Sequence, residues 1–138
     1  MKSTLARIAL LELILAIFVG CNSQNDGQPT QVIAGNEMAA MARLRSIATA
    51  EIQYQVDSGG NYATLDQLIK NRLITDPSEG KLAGYRFEVR VRPSGYEATA
   101  VPVRVGVSGK RSFYIDETRV MRGADKRGAP AVSADPEV

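Results

Sequence analysis

The sequence predicts an α+β fold: one N-terminal amphipathic helix plus a short helix, packed on a four-stranded antiparallel β-meander. Three observations lead there. Apolar residues recur at three- to five-residue steps through residues 36–57, which is helical spacing. Apolar and charged residues then alternate strictly through Tyr85–Arg92, the period of a half-buried strand. Beyond Arg92, turn-forming residues cut the chain into further short extended pieces.

The main helix is placed at 36–57. Met38, Met41, Leu44, Ile47, Ile52 and Val56 set its apolar stripe, expected in the core, and Ala39, Ala40, Ala42, Ala48 and Ala50 favour helix. Asn36 suits the N-cap, with Glu37 in the first turn. Ser58-Gly59-Gly60 should end it, since glycine readily takes the left-handed C-terminal conformation. Thr64 and Gln67 have capping-box spacing for the second helix, whose Leu65, Leu68 and Ile69 give a buried edge. Leu73-Ile74 should dock before a turn at Asp76-Pro77.

In the first strand, Tyr85, Phe87, Val89 and Val91 should pack on the helix while Arg86, Glu88, Arg90 and Arg92 meet water. Pro93-Ser94-Gly95 turns the chain. Residues 96–103 return, with Tyr96, Ala98 and Ala100 on one side and Pro102 at a strand end or edge. Residues 105–110 read as a loop. Arg111–Ile115 and Arg119–Arg122 form a closing hairpin around Asp116-Glu117-Thr118. From Gly123 the chain is rich in Gly, Ala, Pro and charge without apolar periodicity, so 123–138 reads as a disordered tail.

Lys2 and Arg7 precede a short apolar run from Ile8 that ends in Gly20-Cys21, the pattern of a secretory signal peptide over 1–20. The run is shorter than the roughly 20 residues of a comfortable membrane span. Residues 21–35, rich in Asn, Gln, Gly and Pro, read as a flexible tether. Phe18-Val19-Gly20-Cys21 resembles the lipobox of bacterial lipoproteins. The resemblance implies cleavage after Gly20, a lipid on Cys21, the membrane as partner, and a cell-envelope location. Asn22 after the Cys implies the outer membrane, facing the periplasm. Cys21 is the only cysteine of the chain.

Glu12 interrupts the apolar run, where a carboxylate costs roughly 2.5–3.5 kcal/mol to insert. Leu10-Leu11-Glu12-Leu13-Ile14 resembles the start of type IV pilins and type II secretion pseudopilins, which implies Glu12 as a candidate assembly residue and secretion or pilus proteins as partners. Arg7 stands where that family cuts after Gly. Gly27 and Pro29 should also interrupt a continuous helix. The expectation is a mature monomer that does not enter filaments. Gly60-Asn61-Tyr62-Ala63-Thr64-Leu65-Asp66-Gln67-Leu68 and the stretch Arg111–Arg122 resemble the globular half of pseudopilins, so the resemblance covers 36–122. Arg119 replaces the Gly usual in that closing hairpin.

The chain has no His, 44% hydrophobic residues and net charge +2. A Ser-His-Asp set is excluded, and no bulk charge favours nucleic acid. No glycine run has phosphate-loop spacing. Asp116 and Glu117 point apart if extended, which suits a solvated turn better than an acid–base pair or a calcium site. Arg86, Arg90 and Arg92 share one strand face and are the candidate contacts for anionic lipid, peptidoglycan or a partner, weighed against a merely solvated outer face. The expectation is a lipid-anchored binding or scaffolding domain with no enzymatic activity, no cofactor and no metal. The alternative is a genuine pseudopilin that keeps residues 8–20 as a membrane helix.

Overall fold

The structure, a computed structural model, describes residues 28–76 and 84–138. The elements are α1 (Gln28–Asp57), α2 (Leu65–Lys70), β1 (Tyr85–Arg92), β2 (Gly95–Pro102), β3 (Ser112–Asp116) and β4 (Arg122–Ala124). The four strands form one antiparallel sheet in the order β1-β2-β3-β4, and α1 packs on β2 and β3. The α+β meander expected from sequence is the fold observed.

α1 starts eight residues before the expected Asn36 cap, so 28–35 is helix rather than tether. Pro29 fits because it lies in the first turn, where a missing amide breaks no intrahelical bond. The helix closes as expected. Gly59 and Gly60 have φ of 73° and 105°, and the Gly60 amide donates to the Gln55 carbonyl at 2.8 Å in a Schellman closure. The Thr64–Gln67 capping box of α2 is formed in both directions.

The inward stripe of α1 differs from the one expected. Leu44 and Ile47 are fully buried, but Met38, Ile52 and Val56 are exposed, Met38 by 68% and Val56 by 73%. The buried positions are Glu37, Ala40, Leu44, Ile47, Ala48, Ala50 and Glu51. Small alanines let the helix approach the sheet, and two glutamates occupy the buried face, which a count of apolar residues misses. Opposite it, Tyr85, Val89, Tyr96, Ala98, Ala100, Phe113 and Ile115 complete the core. Phe87 is only half-buried, and Val91 lies exposed at the end of β1. Pro102 is the last residue of β2, where no further ladder amide is needed.

The closing hairpin is shifted: β4 is Arg122–Ala124 rather than Arg119–Arg122. Arg119 sits in the wider turn at φ 61°, the conformation a Gly would take without strain.

The largest correction concerns 123–138, which is ordered. Beyond β4, residues 125–138 fold back as a strap. The Gly123 amide donates to the Pro136 carbonyl, and the Val138 amide donates to the Met121 carbonyl. Arg122 and Glu137 form an antiparallel bridge, so the strap covers the edge that β4 would otherwise leave open. Lys126 Nζ to Asp135 Oδ1 at 3.1 Å ties its two limbs. Ala131 is buried against the outer sheet face, where the strap closes a cavity of about 90 Å³ with Glu88, Arg90, Glu97, Thr99 and Tyr114. Tyr114, on the face expected to meet water, is therefore buried. Hydrogen bonds and ion pairs hold this segment, which explains why it carries no apolar period.

Candidate functional site

The molecule has two ends. At one, the Asn36–Glu37 turn of α1 meets the start of β1, the 103–111 loop and the start of β3. At the other, Tyr62 of the α1–α2 connection packs on Tyr96 at the start of β2, and the Tyr96 amide donates to Glu117. A buried carboxylate from α1 fixes each end.

At the first end, Glu37 Oε1 accepts the amides of Lys110 and Arg111 at 3.0 and 3.1 Å, while Oε2 meets the Arg111 guanidinium at 2.8–2.9 Å. Burial pushes the Glu37 carboxyl up, but these amides and the guanidinium outweigh it and the net shift is downward. Asn36 adds a hydrogen bond to the Ser108 carbonyl at 2.9 Å. Both residues thus hold the loop rather than cap a helix. Tyr85 donates to the Arg111 carbonyl at 2.8 Å, and its ring lies against Gly109, where any Cβ would collide with it.

At the second end, Glu51 is fully buried. Its Oε2 accepts the Ala63 amide at 2.9 Å, and Oε1 has no hydrogen-bond partner among the described residues. Burial pushes its pKa up to about 7 against the Ala63 hydrogen bond. The Tyr96 hydroxyl is also buried and without a partner among the described residues, and burial together with the Glu51 charge holds its pKa above the ordinary value. Tyr62 packs on Tyr96 with ring centroids 5.4 Å apart, and Gln55 donates to the Tyr62 hydroxyl.

The three arginines singled out from sequence do lie on the outer face of β1, all exposed. Two are engaged within the molecule. Arg90 pairs with Glu88 at 2.8 Å, and Arg92 lies 3.3 Å from Glu97 and 3.5 Å from Glu117. Arg86, at the far end of the strand, is not gathered into that group. Asp116 is occupied by the Tyr114 hydroxyl and by the Thr118 amide and hydroxyl. Burial raises its carboxyl, those donors and Arg92 lower it further, and the net shift is downward. Among the described residues no three His, Cys, Asp or Glu gather as metal ligands. No helix among them is long and apolar enough to cross a membrane. Glu12, Gly20, Cys21 and Pro77 lie outside the described residues.

Glu37 was read from sequence only as a first-turn residue and Glu51 was missed, although the two lie about four helical turns apart and so share one face. The signal was their register with Leu44 and Ile47. The chain matches no family model, no curated protein and no solved structure.

Proposed function

We propose that the protein is a lipid-anchored component of the cell envelope whose pilin-like domain binds or scaffolds and performs no catalysis. The observation that carries this reading is the single Cys21 behind Gly20 at the end of a short apolar run, in a chain whose folded part holds no other thiol. The use of the buried carboxylates supports a binding or scaffolding domain. Glu37, Glu51 and Asp116 each accept a backbone amide, which suits holding the fold more than working on a substrate.

Mass spectrometry of the mature N-terminus tests it. The expected species begins at Cys21 and carries acyl chains, and Cys21→Ser abolishes lipid labelling and leaves unprocessed precursor. Outer-membrane fractionation is expected from Asn22. A mature chain that keeps residues 8–20 overturns the reading.

One observation favours the pseudopilin alternative. α1 reaches back to Gln28 with Pro29 in its first turn, so Pro29 does not break the helix as its sequence position led one to expect. In that alternative Glu12 places the subunit in a filament. Co-purification with pilus or secretion filaments, lost on Glu12→Leu, would select it. In the lipoprotein reading Glu12→Leu leaves the amount and location of the mature protein unchanged.

A further inference from the structure

The 103–110 loop stands out from the rest of the surface. Val103, Val105 and Val107 are exposed by 57%, 44% and 54%. Scattered exposed valines are ordinary, but three within five residues concentrate exposed apolar surface in one loop. The loop holds them outward. The Ser108 and Val107 amides donate to the Arg104 carbonyl, the Arg104 amide donates to Ser108 Oγ, and the Gly106 amide donates to the Gly109 carbonyl. Asn36 and Glu37 then fasten the loop to α1.

Cations surround these valines. Arg104 and Lys110 are exposed within the loop, and the exposed Arg127 comes from the strap, which touches it: a Cβ at Gly128 would lie 3.2 Å from a Val105 methyl. None of the three has an ion-pair partner among the described residues. The nearby acids are engaged, Glu37 with Arg111 and Asp125 with the Arg127 amide. Short aliphatic side chains interleaved with unpaired cations suit the headgroup region of an anionic bilayer, which takes both.

We propose that Val103, Val105 and Val107 with Arg104, Lys110 and Arg127 form a docking surface for an anionic bilayer, laying the anchored domain on the membrane. The location rests on the lipid-anchor reading: Cys21 lies seven residues before α1, a span of at most about 25 Å. The α1 segment before Asn36 adds roughly 12 Å. The loop is therefore always within reach of the anchoring membrane, and contact requires α1 to lie obliquely. Val32, on that segment, is also exposed, by 57%.

The chain has no Trp, so one introduced residue reports alone. The full mature protein carrying Val105→Trp is reconstituted into phosphatidylglycerol-containing vesicles, with Val91→Trp as the far-end control and circular dichroism to confirm folding. The expected result is blue-shifted Val105→Trp emission, quenched by brominated acyl chains, with Val91→Trp unaffected. Adding Arg104→Gln or Lys110→Gln lowers the docked-to-undocked ratio about fivefold per cation removed. Solvent-like Val105→Trp emission from a protein that carries lipid on Cys21 overturns the docking surface and leaves the anchor standing. Quenching without that lipid does the reverse. Equal quenching in pure phosphatidylcholine overturns the proposed anionic partner.

Discussion

Glu51 shows how one buried side chain sets a pH response. Its carboxyl titrates near 7 in the folded chain, against an ordinary 4.5. The native state then keeps a proton that the unfolded chain releases, so stability falls as pH rises from about 4.5 to 7 and is level above. The expected loss is about 3 kcal/mol, because the carboxylate is buried away from screening water. Glu51→Gln keeps an acceptor for the Ala63 amide and removes the titration, so its urea midpoint should be flat across that window. A variant with the wild-type slope would rule Glu51 out. Glu37 and Asp116 act in the opposite sense. Their lowered values give stability that is present above their unfolded pKa and lost as pH falls through the folded one, so the stability maximum belongs near pH 5. Arg119, at φ 61°, gives a second residue-level expectation. Arg119→Gly should stabilise by about 0.5–1 kcal/mol, because relief of left-handed strain exceeds the entropy a glycine adds to the unfolded chain. Calorimetry that finds Arg119→Gly less stable would show that the turn prefers its arginine.

Among the elements, β1 and the α2 capping box were legible because alternation and cap spacing are local rules. Thr64 and Gln67 need only each other. The strap was not legible, because its order comes from partners far along the chain: Gly123 with Pro136, Met121 with Val138, and Lys126 with Asp135. The α1 stripe was half legible. Leu44 and Ile47 announced it, but Glu37 and Glu51 enter the core only because Arg111 and Ala63 receive them. Of the candidate site, the outer face of the three arginines and the closeness of Arg90 to Glu88 could be read from β1, while Glu97 and Glu117, which engage Arg92, depend on strand register and a distant turn. Ending the chain after Gly128 should cost about 3 kcal/mol, from the two backbone bonds and the Arg122–Asp135 carbonyl bond at about 1 kcal/mol each. It should also expose Tyr114 and the β4 edge. Tyr114 has its pKa pushed up to about 12 by burial and Asp116, so the shortened chain should ionise this phenol at lower pH. Ultraviolet titration reads that shift, and unchanged titration would mean that the strap does not cover the ring.

For the whole molecule, the core lies between α1 and the inner faces of β2 and β3. Phe113 is fully enclosed there and Phe87 is half-open at the margin. Phe113→Ala should therefore cost about 3–5 kcal/mol and Phe87→Ala clearly less. Equal losses in chemical denaturation would displace the centre of the core. The Glu37–Arg111 clasp has a mechanical consequence. α1 runs alongside β3 in the same direction, from Glu37 beside Arg111 at one end to Ala48 and Thr49 beside Ile115 and Thr118 at the other. Tension entering at Gln28 pulls the helix along the strands, so the packed faces must slide past one another instead of peeling apart. The first bonds to bear that load are those of Glu37. Because rupture under force follows the unfolding rate, Glu37→Gln should lower the rupture force in a single-molecule pull from the N-terminal side more than Glu51→Gln does.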